Sequence, residues 1–227
     1  MNDDFIVPLA IFLVIGIVVA VSTYLSNKNR ILRELKKSPS KPINTVKDKE
    51  YVRLHGTVEA INDPLIAPLS KRPCVYYHII VERKGDKSWH TVINDFKYSP
   101  FYLVSGGEKA KIRAHDKSAL LFHLVVDHNK RSGWSTNPSQ AMTQYLKSQN
   151  YDGQTWLFKS NKTLRYKEAI LQIGEDVVVK GNAEWKRLEE PIEGFNFSRL
   201  LELTGNYRQR LIVTDLPKAL KTLPKRR

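Results

Sequence analysis

Residues 5–25 (FIVPLAIFLVIGIVVAVSTYL) run for 21 positions without one charged side chain. As a helix rising about 1.5 Å per residue, such a run spans the roughly 30 Å hydrocarbon core of a bilayer. Asp3 and Asp4 precede it, whereas Lys28, Arg30, Arg33, Lys36, Lys37 and Lys41 follow. That bias predicts an outside amino terminus and places the rest of the chain in the cytoplasm. A cleaved secretory signal needs a basic leader and a shorter apolar core, so it does not fit. A helix buried in a water-soluble core is rarely apolar on every face over this length. Pro8 is compatible, since in the first turn its missing N–H would be an orphan in any case. The reading is a transmembrane anchor over 1–27 and a single-pass membrane location.

The chain beyond the anchor is long enough to bury a real core. The formal charge of +14 for the whole chain becomes +16 after residue 25, because residues 1–25 contribute only Asp3 and Asp4, and a balance this basic favours anionic partners: phospholipid head groups, acidic proteins or nucleic acid. Position favours the first, because each juxtamembrane Lys or Arg gains about 1 kcal/mol against an anionic leaflet. The expected partners are therefore an anionic lipid surface and an unidentified protein. Cys74 is the only cysteine, which excludes an intrachain disulfide framework and a cysteine-based zinc site and fits a reducing compartment.

After the anchor comes a basic segment whose prolines Pro39 and Pro42 break any continuing helix, so 28–50 reads as juxtamembrane segment and tether. A domain opens at Tyr51, where Val52, Leu54, Val58 and Ala60 alternate with Arg53, His55, Thr57 and Glu59 as in a half-buried strand. Gly56 within it predicts a bulge or a close backbone approach. Pro64, Pro68 and Pro73 force an extended connection into a strand over 74–83, which pairs with 88–95 across a turn at Gly85-Asp86. Residues 118–127 fit a strand or a short helix, 129–138 a loop, 138–149 a helix, and 176–181 and 199–204 strands. The predicted fold class is α+β, mainly antiparallel β: a single amino-terminal transmembrane helix plus a β-rich domain of partly open barrels or sandwiches. The domain covers 51–223, with a basic tail at 224–227.

The Gly56 strand, the run PLIAPLSKRPCVYY carrying Pro64, Pro68, Ser70, Pro73, Cys74 and Tyr77, and the hairpin after it resemble the module called GIDE, or BAM for "beside a membrane". Downstream, 99–104, the Gly106-Gly107 turn, the block from Tyr166 through Glu168 to Gly174, and 210–220 follow that family's order. The family is best known from a mitochondrial ubiquitin ligase that adds a second membrane span and a carboxy-terminal RING. Here the only cysteine lies upstream and the last histidine is His128, so the eight ligands of a RING are absent. The resemblance implies a RING-less membrane-side module, in an arrangement like the prokaryotic one, and not ligase activity.

No residue pattern supplies chemistry. The six histidines, at 55, 78, 90, 115, 123 and 128, never pair at i, i+2 or i, i+4 spacing. Nucleophile elbow, phosphate loop and dinucleotide fingerprint are all missing. No catalytic residue, cofactor or metal ligand is assigned, and Cys74 reads as a small buried hydrophobe. The candidate partner-binding loop is 64–73: Leu65, Ile66 and Leu69 are apolar among three prolines, and Lys71 and Arg72 are expected to stay exposed. Arg72 is the residue to test first for an anion, because a guanidinium on a rigid loop suits phosphate or carboxylate. The function expected is a non-enzymatic binding or scaffold module at the cytoplasmic membrane surface. Ubiquitin-ligase-like activity is disfavoured by the missing RING. Nucleic-acid binding, suggested by charge and by Trp89, Trp134, Trp156 and Trp185, is disfavoured because core packing explains the tryptophans more simply.

Overall fold

The alternation that opens the domain folds as strand β1 (Tyr51–Ala60), and its inward positions Val52, Leu54 and Val58 are buried. The structure, a computed structural model, describes residues 15, 22, 24, 26–114, 116–132, 138–151, 163–188 and 198–221. The strands that follow are β2 (Leu65–Ile66), β3 (Pro73–Lys84), β4 (Trp89–Tyr98), β5 (Phe101–Ser105), β6 (Glu108–Ile112), β7 (Leu120–Phe122), β8 (His128–Ser132), β9 (Leu164–Gln172), β10 (Asp176–Arg187), β11 (Arg199–Thr204) and β12 (Leu211–Thr214). The α-helices whose bounds lie among the described residues are α1 (Asn27–Lys36), α2 (Gln140–Ser148) and α3 (Pro217–Leu220); Ile15, Ser22 and Tyr24 are also helical.

Five strands close on themselves in the order β1-β5-β6-β11-β10, with β10 returning to β1. The long β10 makes this possible: it pairs antiparallel with β1 on one edge and with β11 and then β12 on the other. Its residues Val177 and Val179 face the barrel core, while Val178 packs on the outside beneath α1, so both faces are buried and the run DVVVK shows little alternation. Strand β12 extends the sheet to β7. A second sheet has β3 at its centre, flanked by β9 and β8 on one side and by β4 and β2 on the other. Helix α2, capped by Ser139, lays Met142, Tyr145 and Leu146 on this sheet against Ile79, Val81, Leu164 and Tyr166.

Several sequence expectations are corrected. The α+β assignment gives way to a β-rich fold with a closed five-stranded barrel and three short helices bounded among the described residues. Most strand pairings among the described residues are antiparallel, while β6–β11 and β7–β12 run parallel. Among the described residues no helix is long and apolar enough to cross a membrane. Helix α1 has 10 residues, several of them charged, and at about 1.5 Å per residue it reaches only half of a hydrocarbon core. The transmembrane helix, the single-pass location and the cytoplasmic placement derived from it are therefore not carried by the structure; apart from positions 15, 22 and 24, the stretch 5–25 lies outside the described residues. Residues 38–50 are not a free tether: Ile43 and Val46 are buried in the barrel core, and Lys49 N–H donates to Ala183 O at 2.8 Å. Part of the expected loop 129–138 is strand β8. The expected surface loop at 186–194 and the basic tail fall largely or wholly outside the described residues.

Gly56 meets its expectation through close approach and not through a bulge. Strand β1 pairs with β10 through Tyr51–Thr57 and with β5 through Thr57–Ala60 in unbroken register. At the changeover, a Cβ on Gly56 would lie 2.3 Å from the Val104 carbonyl oxygen. Because that obstacle is backbone, Gly56→Ala should cost about 2 kcal/mol or more. Denaturant midpoints of the two proteins measure this, and an unchanged midpoint would mean that β5 can step aside.

Candidate functional site

Loop 64–73 is a structured turn. Leu65 and Ile66 fold back on Cys74 and Pro73, Ala67 N–H donates to Arg72 O at 2.9 Å, and Lys71 N–H donates to Ala67 O at 2.9 Å. Lys71 takes a left-handed φ of 60° to close it. Ala67, Leu69 and Cys74 are buried, whereas Ile66 is 55% exposed and Lys71, Pro64 and Pro73 are exposed. The underside of the turn rests on Glu168 of β9, a carboxylate with 0% exposure. One of its oxygens accepts the Leu69 N–H at 2.8 Å and the other the Ser70 N–H at 2.9 Å. Glu168 thus ties the proline-rich run to the Tyr166–Gly174 block, beside the strand pairing of β3 with β9. The sequence marks Glu168 only as part of the family-like block and assigns it no role, although a signal was present: it shares the inward face of β9 with Tyr166 and Ile170, where a carboxylate needs donors. Among the described residues Ser70 Oγ, buried beside it, has no hydrogen-bond partner.

Arg72 is not available as the expected anion site. Its guanidinium donates to Asp127 Oδ1 at 2.9 Å and to Gln172 Oε1 at 3.1 Å, so a carboxylate already occupies it. Of the two expected free charges, Lys71 is exposed and Arg72 is half-buried in this network. The network continues into the barrel. Asp127 Oδ2 accepts the Ile170 N–H at 3.1 Å, Glu175 accepts the Gln172 N–H at 2.9 Å, and Asp215 accepts the Val125 N–H at 2.8 Å. Burial, then the neighbouring Asp215 and Asp127 charges, pushes the Glu175 carboxyl up to about 7. Burial also raises Asp215.

The nucleophilic and titratable groups near the turn are engaged structurally. Burial, then the Glu168 charge, pushes the Cys74 thiol up to about 11, leaving it protonated at neutral pH and a poor nucleophile. Asp127 orients Arg72 and the β9 backbone. Tyr145 donates to Asp95 at 3.0 Å, and Tyr77 is half-buried beside the turn. His78 Nε2 lies 2.7 Å from Asn94 Oδ1, and burial lowers His123. Among the described residues no three His, Cys, Asp or Glu side chains converge as a metal site.

A separate basic cleft of about 620 Å³ opens between α1 and α3. Arg33, Lys36, Arg53, Lys218 and Lys221 line it together with Leu32 and Leu35. The sequence placed Arg33 and Lys36 in a basic flank, but gave no sign that 218–221 would come back to meet them.

No family model, no curated protein and no solved structure matches this chain. The membrane-side family that its motifs resemble is therefore not identified by any comparison.

Two outcomes follow from these carboxylates. Glu168→Gln leaves one of two buried N–H groups facing an amide instead of an acceptor, and should cost about 2 kcal/mol. Hydrogen exchange should then accelerate at the Leu69 and Ser70 amides more than in β3. For Glu175 the folded pKa lies above its ordinary 4.5, so the folded chain keeps a proton that the unfolded chain has released. Stability must fall as pH rises from about 5 to 7 and level off above, by about 1–2 kcal/mol once partial solvent screening is allowed for. Thermal midpoints from pH 5 to 8 should show this slope in the native protein and a flatter profile in Glu175→Gln.

Proposed function

We propose that this chain is a non-enzymatic binding module whose protein partner docks on the turn 64–73. The observation that carries this reading is the buried Glu168 carboxylate, committed to two backbone N–H groups of the turn. Burying a charge to fix a surface turn is costly, and the turn so held displays Ile66 and Lys71 outward. An apolar side chain beside an exposed ammonium suits an apolar anchor flanked by acidic residues on the partner. A catalytic reading lacks support, since Cys74, Asp127 and Glu175 are each tied into the fold. Ubiquitin-ligase-like activity lacks its ligands in a sequence with one cysteine. Nucleic-acid binding through stacking is weakened by the described tryptophans. Arg165 lies 4.4 Å and Arg131 5.6 Å from the Trp89 ring, and Arg199 lies 4.6 Å from Trp185, whose indole N–H donates to Val46 O. Trp134 and Trp156 lie outside the described residues.

Photo-crosslinking in the source cells tests this, with a photoreactive residue at position 66 of the full chain. A discrete adduct should form there and not from the same residue at Asp86 in the exposed hairpin turn, and Lys71→Glu should remove it. The thermal midpoint should stay nearly unchanged, because an exposed charge contributes at most about 1 kcal/mol to folding. Equal labelling from both positions, or an adduct indifferent to Lys71→Glu, would assign the turn to architecture alone.

A further inference from the structure

The cleft between α1 and α3 is separate from the turn and is built from the outer face of the barrel. Five of its described lining side chains are cationic, and none is Asp or Glu. Such a concentration of like charge is unfavourable unless something answers it. The buried member is Arg53, 3% exposed, whose terminal nitrogens donate to Leu35 O at 3.2 Å and Ala219 O at 2.8 Å. Those carbonyls are the negative carboxy ends of α1 and α3, so Arg53 cancels the helix-end charge that would otherwise repel an anion. Arg33 is steered into the cleft by donating to Tyr24 O at 2.6 Å and stacking over the Tyr24 ring at 3.8 Å. Lys36, Lys218 and Lys221 are exposed and form no ion pair among the described residues.

We propose that this cleft binds a phosphate monoester, with the lysine ammonium groups and Arg33 around the phosphate and the Leu32–Leu35 wall against the organic part. A phosphate carries close to two negative charges at neutral pH and accepts hydrogen bonds from several donors at once. It therefore answers the cleft better than a carboxylate does. The partly apolar wall and the volume admit more than a bare ion. The ester can belong to a soluble molecule or to a lipid head group; the chemistry of the site is the same for both.

The test uses the full chain at about physiological salt, with two probes: glycerol 3-phosphate by calorimetry, and vesicles of phosphatidylcholine with or without phosphatidic acid by sedimentation. The variants are Lys218→Glu/Lys221→Glu and, as an equal charge change elsewhere, Lys84→Glu/Lys130→Glu. Saturable binding of either probe, weakened at least tenfold by the first pair and less than twofold by the second, supports the site. Binding of glycerol 3-phosphate assigns it to soluble esters. A phosphatidic-acid-dependent increment without glycerol 3-phosphate binding assigns it to a head group. Equal loss in both double variants would overturn the proposal in favour of diffuse net charge, and so would the absence of binding to either probe. Lys36→Gln, which leaves Arg53 and the helix ends untouched, repeats the measurement if the double variant is poorly folded, and binding unchanged in it would also count against the site.

Discussion

Two buried cations hold the first helix to the barrel. Arg53 of β1 and Lys180 of β10 are register partners across the sheet, exposed by 3% and 1%, and both point outward beneath α1. Like charges side by side in a low-dielectric space would repel strongly. What makes the pair tolerable is the end of the helix above them. Lys180 donates to Glu34 O at 2.9 Å and to the Glu34 carboxylate at 3.0 Å, while Arg53 takes the Leu35 carbonyl. Lys180 also lies 4.6 Å from the Tyr51 ring. The helix end and the two cations thus neutralise each other, beside the apolar seat of Ile31 and Leu35 on Val178, Ile212 and Leu216.

This explains which parts of the fold were legible in the sequence. Period-2 patterning announced β1 and the β3–β4 hairpin, because those strands have one covered and one open face. The same pattern misled at Arg53, which alternation assigns to solvent; only the docking of α1 and α3 overhead turns that position inward. Barrel closure was invisible for a related reason. It depends on β10 accepting three partners and on two parallel pairings, β6 with β11 and β7 with β12, between segments far apart in the chain. Residues 38–50 looked like a tether because their two prolines exclude helix, yet Ile43 and Val46 supply apolar area that the barrel end uses.

The candidate surfaces divide in the same way. The turn 64–73 was readable from its prolines and apolar residues, but what fixes it was not. Glu168 lies about a hundred residues away, and Arg72, which looked like a free cation, belongs to a chain of contacts running through Asp127 and Gln172 toward Glu175 and Asp215. That chain joins the second sheet to the barrel, so a charge expected to meet a ligand instead ties the two sheets together. The cleft between α1 and α3 escaped for lack of any local signal, since its lysines come from opposite ends of the sequence.

The pairing of chain ends sets an order of events for a protein made from its amino terminus. Helix α1 rests on Ile212, Leu216 and Ala219, and Arg53 reaches a carbonyl 166 residues downstream. When β1 leaves the ribosome, one edge can pair with β5 soon afterwards, but its longer pairing waits for β10, and the seat of α1 waits for β12 and α3. Until then a basic amphipathic helix and an unpaired strand edge stand open to other molecules. The parts that finish the fold are thus made last, and the earliest elements are the ones held longest in an unfinished state.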